Sequence, residues 1–363
     1  MRIFSTFTGI GGFEIGIRNA YRNTIGGGKA SPSTNKGQGL QSTKGKDTHP
    51  SEGLSGERPA NFTYERPLFI GYSEIDKYAI SVYRRNFNGT PNYGDITKIN
   101  ATELPDFDCL VGGFPCQAFS IAGKRGGFED TRGTLFFDLA RILKAKTPRL
   151  FVFENVKGLL SHDNGNTFKT IIAAIDELGY DCQWQVLNSK NHRVPQNRER
   201  IIIVGHLRGT PRPEVFPISG TDNKDIVQLN HPTHSNDRIY DQDGISPTLN
   251  TMQGGNRQPF VASFNRNDGL GKELDNAHTL SSSDFRGLNR NQNQNAVVEP
   301  PKIRRLTPVE CERLQAFPDD WTKYGEDEHG VRVPISDTQR YKMCGNAVTT
   351  NVIRDVFDKI LNV

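Results

Sequence analysis

Cys116 is the residue in this sequence best placed to act as a nucleophile. It closes the run Gly112-Gly113-Phe114-Pro115-Cys116 and opens Gln117-Ala118-Phe119-Ser120. An apolar run, paired glycines and a rigid proline would hold a thiol at the end of a strand, beside a polar, glycine-rich loop. The attacking species is the thiolate, and a free thiol titrates near pKa 8.5, so cationic neighbours or a helix N-terminus are needed. Arg198 and Arg200 are the candidates, two apart at a strand start and therefore on one face. Glu154, at the end of another apolar run, is the acid candidate, with an ordinary buried ion pair as its competing role. The remaining cysteines, Cys109, Cys182, Cys311 and Cys344, read as core or helix residues. With five cysteines and no CxxC pair, neither a disulfide frame nor a structural zinc site is expected.

A second constellation suits a nucleotide-like cofactor. In Thr8-Gly9-Ile10-Gly11-Gly12-Phe13-Glu14 the glycines let the backbone approach a ligand at a helix N-terminus, where free N–H groups favour anionic atoms. Glu14 stands where the third glycine of a strict GxGxxG would be, so an ordinary tight turn competes. Once residues 23–66 are set aside, Glu74 follows the glycines by about 20 residues, where a carboxylate can bond ribose hydroxyls. For Asp76 a helix N-cap is the competing role. Gly94-Asp95-Ile96-Thr97 supplies a third loop beside the same edge.

Positioning these groups requires strand and helix in alternation. Strands are predicted at 2–7, 68–73, 107–113, 150–153, 181–188 and 201–205. Helices follow Gly12, run through Ala79–Phe87, and cover 134–146 and the Phe168–Leu178 stretch. The pattern predicts a doubly wound α/β sheet, Rossmann-like, with site candidates at strand C-termini. Residues 117–133 have lid composition, with Lys124, Arg125 and Arg132 suited to phosphates. Residues 23–66 carry few large apolar side chains and read as a disordered surface insertion. From 207 to 301 helical periodicity gives way to Asn, Gln, Gly, Arg, Ser and Pro, the composition of a smaller, loop-rich, mainly-β domain. Its amide and guanidinium groups suit base-edge contacts, and a merely polar insertion is the alternative. The α/β grammar returns at 302–363: Thr307 can cap a helix with Pro308 at its first position, and Cys344-Gly345-Asn346-Ala347-Val348 is expected to open the last helix. The expected division is therefore 1–206 plus 302–363 as one domain and 207–301 as another.

The formal net charge of +4 is a mild hint of a polyanionic partner. No apolar run reaches the roughly 18 residues of a membrane span, and Met1-Arg2-Ile3-Phe4 opens a strand instead of a signal peptide. A reduced intracellular protein, without metal and without membrane attachment, is expected.

Taken in order, these blocks resemble the DNA (cytosine-5) methyltransferases over nearly the whole chain except 23–66. The family's motifs stand as Phe7-Thr8-Gly9-Ile10-Gly11-Gly12, Glu74-Ile75-Asp76, Gly94-Asp95-Ile96, Gly113-Phe114-Pro115-Cys116-Gln117, Phe153-Glu154-Asn155-Val156, Gln196-Asn197-Arg198-Glu199-Arg200 and Gly345-Asn346-Ala347-Val348. The stretch Gly112 to Gly165 is similar to the small bacterial enzymes that methylate the inner cytosine of GCGC, as is Arg238-Ile239-Tyr240 followed by Gly244-Ile245 and Thr248-Leu249. Two features depart from the family: Thr8 replaces a small Ala or Ser, and the insertion is foreign to the compact bacterial enzymes.

The resemblance implies a methyl transfer from S-adenosylmethionine to C5 of a cytosine flipped out of duplex DNA, through a Cys116–C6 adduct. It implies Glu154 against N3 and the 4-amino group of the base, Arg200 at O2, and Arg198 supporting the site or a phosphate. The cofactor would lie across Phe7, Gly9, Ile10, Gly11 and Gly12, with Glu74 and Ile75 at the ribose end and Asp95 and Ile96 at the adenine. Pro115, Leu135, Asn346 and Val348 would close around the methionine end. Ser120 and Arg132 would meet the DNA backbone, and Ser235, Arg238, Thr248, Gly254 and Gly255 the neighbouring bases, making 207–301 a target-recognition domain. A monomeric, cytoplasmic enzyme of prokaryotic or phage origin is implied, belonging to a restriction-modification system or working as an orphan. Three rivals stay open: a tRNA cytosine-5 methyltransferase, a non-catalytic cofactor-sensing DNA-binding protein, and a cysteine hydrolase, which lacks a recognisable histidine partner.

Overall fold

In the central strands successive side chains enter opposite cores, so both faces are buried. Ile3, Cys109, Val111, Leu150, Val152, Ile202 and Val204 face one apolar cluster, while Phe4, Leu110, Phe151, Phe153, Ile201 and Ile203 face the other. The protein is seen here as a computed structural model that describes residues 1–25, 66–115, 135–220, 228–229, 239–241, 245–249, 260–263 and 302–362. Cys116, the expected lid at 117–133 with Ser120 and Arg132, most of the 23–66 insertion, and Ser235, Arg238, Gly254 and Gly255 lie outside the described residues.

The chain runs β1 (Arg2–Thr6), α1 (Gly12–Ile25), β2 (Leu68–Ser73), α2 (Lys77–Asn86), β3 (Cys109–Gly113), α3 (Leu135–Lys146), β4 (Leu150–Val156), α4 (Asn166–Glu177), β5 (Tyr180–Asn188) and β6 (Glu199–Leu207). These strands form a six-stranded sheet in the order β2-β1-β3-β4-β6-β5. β2, β1, β3 and β4 are mutually parallel, while β6 runs antiparallel to both of its neighbours. The α/β expectation therefore holds, with a reversed strand. A reversed β6 brings its N-terminal end, not its C-terminal end, to the edge where β4 finishes: Val156 pairs with Arg200.

Helices cover both faces. α3 and α4 pack through Phe136, Leu139, Leu143, Ile171 and Ile175 on one side. On the other, α1 contributes Phe13 and Ile17 beside Ile353, Val356 and Phe357 of the last helix, α7 (Thr350–Leu361). A strap at 213–218 covers the same face. Gln183 and Gln185 of β5 each exchange side-chain hydrogen bonds with its backbone, and Val215 and Ile218 enter the core.

Beyond β6 the described residues include a three-stranded sheet of β7 (Ile239–Asp241), β8 (Phe260–Ser263) and β9 (Lys302–Arg305). Then come α5 (Pro308–Leu314), a hairpin of β10 (Tyr324–Glu326) and β11 (Arg332–Pro334), and α6 (Asp337–Asn346). Thr307 caps α5 in a capping box with Glu310, as its sequence predicts. One boundary differs from expectation. Cys344-Gly345-Asn346 close α6, and the last helix starts only at Thr350. Gly and Asn favour helix ends, Ala347 is extended, and Thr349 takes the extended N-cap conformation.

Candidate active site

One edge of the sheet gathers the candidate groups, because parallel strands deliver their C-terminal ends to the same side. β1 runs out through Phe7 into the glycine turn, β2 into Glu74, β3 into Phe114-Pro115, and β4 into Glu154 and Asn155. The register places Thr6 beside both Ser73 and Gly112, and Gly113 beside Glu154. Reversed β6 adds Arg200 from the far side.

Glu154 and Arg200 meet directly. Arg200 Nε lies 2.9 Å from Glu154 Oε1, and both side chains are mostly enclosed, at 13% and 16% exposure. A Cβ on Gly113 would sit 2.8 Å from Glu154 Oε2, so any side chain there would push the carboxylate on the neighbouring strand out of this position. Gly112 is required, because its missing Cβ would fall 2.2 Å from Thr6 Oγ1 and 2.7 Å from the Thr6 carbonyl oxygen. Asn155, fully buried, donates from Nδ2 to the Phe114 carbonyl at 2.9 Å and accepts from Val156 N–H. It thereby fixes the peptide that leads through Pro115 to residue 116 in the chain.

Arg198 does not share the surroundings of Arg200, despite the two-residue spacing. It precedes β6 and is buried. Its Nη1 donates to the Leu249 carbonyl at 3.2 Å, and Nη2 to the Gly345 and Ala347 carbonyls at 3.1 and 2.9 Å. Burial pushes its guanidinium down to about 9, the Arg200 charge adds to this, and Glu154 opposes it. Thr248, expected to face bases, donates from Oγ1 to the Asn197 carbonyl at 2.5 Å and is exposed.

The four described cysteines are poor nucleophiles. Burial raises the thiols of Cys109, Cys311 and Cys344 far above the ordinary range and pushes Cys182 up to about 11.

At the other end of the edge the glycine turn and Glu74 form one unit. Gly9 N–H donates to Glu74 Oε2 at 2.8 Å, while Ile75 and Asp76 N–H groups hold Oε1. The Gly9 N–H expected to meet a ligand's anionic atoms is thus taken by the carboxylate. The turn itself needs positive φ at Phe7 (49°), Gly9 (56°) and Gly11 (88°). A side chain at Gly9 would meet nothing within 4 Å, whereas one at Gly11 would strike the Phe87 ring and one at Gly12 would strike Val348. Open space over Gly9, a carboxylate with spare acceptor capacity and Ile75 at 72% exposure together fit a nucleoside, its hydroxyls on Glu74 and its base on the apolar side chain. Asp95 is committed to Thr97 N–H and Oγ1, which hold its carboxyl below the usual range, and Ile96 is buried. Ile10 is buried, Leu135 packs at the margin of the α3 core, Pro115 and Asn346 are exposed, and Val348 is half-buried against Gly12.

Sequence reasoning missed the residues that brace this edge from far away. Trp321 Nε1 donates to the Ile10 carbonyl at 2.9 Å, and Lys342 reaches Asp76 at 2.6 Å. Gln315 joins Cys344 O to Thr349 Oγ1, which in turn meets Ser189 Oγ. No local pattern signals these contacts, because each partner lies on another element. Among the described residues no cluster of His, Cys, Asp and Glu could hold a metal ion, and no helix is long and apolar enough to cross a membrane.

Known proteins are similar to this chain in sequence and in fold. The orphan methyltransferase M.SPRI of Bacillus phage SPR is 34% identical over 100% of this chain and 98% of its own length. The type II methyltransferase M1.ScrFI of Lactococcus lactis subsp. cremoris is 37% identical over 86% of this chain and 76% of its own. In fold, the chain is similar to the Dnmt2 methyltransferase of S. pombe, with a TM-score of 0.61 at 14% identity, covering 100% of this chain and 98% of that one. An Entamoeba histolytica methyltransferase gives 0.60 at 15% identity, covering 100% and 98%. Residues 64–362 match the family described as C-5 cytosine-specific DNA methylase, and with that span matched the chain belongs to that family.

Proposed function

We propose that this enzyme methylates C5 of a cytosine flipped out of duplex DNA, with Cys116 as nucleophile and Glu154 and Arg200 as the groups on the base. The supporting observation is the enclosed Glu154–Arg200 pair beside Gly113, on the strand end that leads through the Asn155-held Phe114 peptide and Pro115 to Cys116. S-adenosylmethionine supplies an electrophilic methyl group when bound, and Phe7, Gly9, Gly11, Glu74, Ile75 and Val348 would hold it. Asp95, Ile96, Leu135 and Asn346 belong to the same reading.

Cytosine C5 is a poor nucleophile until C6 is attacked. The Cys116 thiolate adds to C6, and the displaced electron pair makes C5 carbanion-like, with negative charge building towards N3. A proton shared between the Glu154 carboxyl and N3 neutralises that charge, the same carboxyl accepts from the 4-amino group, and Arg200 donates to O2. After C5 has taken the methyl group its proton passes to solvent water, the freed C–H electron pair re-forms the 5,6 double bond, the Cys116 sulfur leaves as thiolate, and the proton shared with N3 returns to Glu154. Removing the base from the stack costs a few kcal/mol. In this reading residues 207–301 recognise the target, through Ser235, Arg238, Thr248, Gly254 and Gly255, and Ser120 and Arg132 meet the backbone. Both orphan phage and type II enzymes stand among the relatives, and either setting suits a stand-alone modification enzyme.

Bisulfite sequencing of DNA from cells expressing the chain tests this. Methylated cytosine in one short sequence context is expected with the wild type and none with Cys116→Ser. Folded wild-type protein that leaves no modified cytosine in DNA, or that methylates tRNA in preference to duplex, would falsify the assignment.

A further inference from the structure

Arg198 joins two segments that lie far apart in the chain. Its backbone is fixed first: Arg198 N–H donates to Asn188 Oδ1 and its carbonyl accepts from Ser189 N–H, both at 3.0 Å. From there the guanidinium reaches Leu249 in one direction and Gly345 and Ala347 in the other.

These two targets belong to different parts of the chain. Residues 245–249 form a short strap along 195–197. Ser246 N–H donates to the Pro195 carbonyl at 2.6 Å, Asn197 N–H to the Ser246 carbonyl at 2.8 Å, and Thr248 Oγ1 to Asn197 O. Leu249, buried, packs with Leu306, Cys311, Leu314 and Cys344. The strap leads directly into Asn250–Gly255, where target recognition is proposed. The other target, Gly345–Ala347, leads into Val348, whose Cγ1 and carbonyl wall the glycine turn at Gly12.

A buried cation held by main-chain carbonyls alone is conditional on those carbonyls. If either segment shifts, a charged donor is left unpaired in a dry site, which costs far more than an ordinary hydrogen bond. Arg198 Nε already has no partner among the described residues, so little slack remains. Arg198 therefore favours arrangements in which the strap and the Gly345–Ala347 carbonyls keep their present relation.

We propose that Arg198 is a positioning residue that couples the seating of DNA on the recognition region to the shape of the cofactor site, an inference that rests on the methyltransferase reading above. Arginine suits this because its planar fork spans two segments, whereas a lysine ammonium is a point that satisfies one.

The test is a binding cycle. S-adenosylhomocysteine is titrated by calorimetry into free enzyme and into enzyme saturated with the duplex that bisulfite sequencing identifies, and the duplex is titrated with and without S-adenosylhomocysteine. In the wild type each ligand is expected to tighten the other by the same factor, within the usual range of about 5- to 150-fold. Cys116→Ser should keep that factor. Arg198→Lys should bind each ligand alone yet lose the mutual enhancement. If Arg198→Lys does not fold, Thr248→Val, which removes the strap's exposed side-chain bond, should reduce the same factor.

Wild-type enzyme that binds both ligands without enhancement overturns the coupling alone. So does Arg198→Lys, or Thr248→Val in its place, with the factor unchanged, even if both affinities fall together as a purely structural defect would make them. Wild-type enzyme that binds neither ligand overturns the methyltransferase reading and the coupling with it.

Discussion

Glu154 illustrates how much one side chain's neighbours decide. Enclosed and paired with Arg200, it is an ordinary ion pair by geometry, and in the proposed mechanism its place opposite Gly113 gives it a use beyond pairing. An amide of the same shape would keep a contact with Arg200 and lose the carboxyl that the proposed mechanism uses to share a proton with N3. Glu154→Gln is therefore expected to lower the methylation rate by about 10²- to 10⁴-fold, the usual worth of general acid–base help, with duplex binding retained. Single-turnover rates alongside fluorescence anisotropy check this; equal losses in rate and binding would point to misfolding instead.

Glu14 makes a different residue-scale prediction. Buried beneath the glycine turn and accepting from Tyr83 OH, it is pushed up to about 7, chiefly by burial. A carboxyl raised in the folded state favours folding fully below its unfolded value near 4.5, and that contribution is lost as pH rises through about 7. Glu14→Gln should thus nearly match the wild type at pH 4.5 and exceed it by about 3 kcal/mol at pH 8. Urea unfolding at the two pH values measures it, and a pH-independent difference would refute it. Residue types and spacing already marked Cys116, Glu154 and Glu74. They could not separate Arg198 from Arg200, since a two-residue spacing shows a shared face but not which carbonyls or carboxylate come to meet each one.

Among the elements, α2 and α6 are tied at the cofactor edge by Asp76, which caps α2 through Tyr78 and Ala79 N–H and takes Lys342 from α6. Burial alone would raise the Asp76 carboxyl, but Lys342 and the two backbone donors outweigh it and hold it below its ordinary value. A depressed carboxyl favours folding above its unfolded value near 3.8, and the benefit is lost as pH falls through the lower folded value. Because both side chains are more than a quarter exposed, Lys342→Met should cost only about 1 kcal/mol at pH 7, roughly 2–4 °C in Tm, and less below pH 4. Thermal melts across that range check it; the same loss at every pH would mean packing, not the pair, was removed. Elements with strong periodicity or a capping signal, such as α4 and the Thr307-capped α5, were legible in the sequence to within a few residues. The α6–α7 break was not, because Val348 continues the apolar spacing of α7 while Gly345, Asn346 and Thr349 end one helix and start another. Nor were residues 315–343, whose short pieces are held by distant partners such as the Trp321–Ile10 hydrogen bond.

At the scale of the whole molecule, the alternation of strand and helix predicted the sheet, and the reversal of β6 was beyond it, because an apolar strand reads the same in either direction. The family match begins at residue 64, in the last residues of the insertion, while α1 and β2 on either side of that insertion are packed by contacts between other elements. Phe13 and Ile17 of α1 pack beside α7, and Leu68 N–H donates to the Met1 carbonyl at 3.0 Å as β2 enters beside β1. Both ends of the insertion thus open from elements anchored independently, and a chain joining α1 to β2 needs only an ordinary αβ loop. Replacing residues 28–63 by a short Gly/Ser linker is expected to leave the fold intact and to change stability by about 1 kcal/mol, since closure entropy varies slowly with loop length. Methylation of the same sequence context should persist, with kcat/KM for a duplex substrate close to that of the full chain. A shortened enzyme that folds and binds S-adenosylhomocysteine but loses duplex affinity would instead assign the lysines of that segment to the DNA. The slope of log affinity against log salt would then count them, becoming shallower by nearly one for each phosphate that the shortened enzyme no longer neutralises.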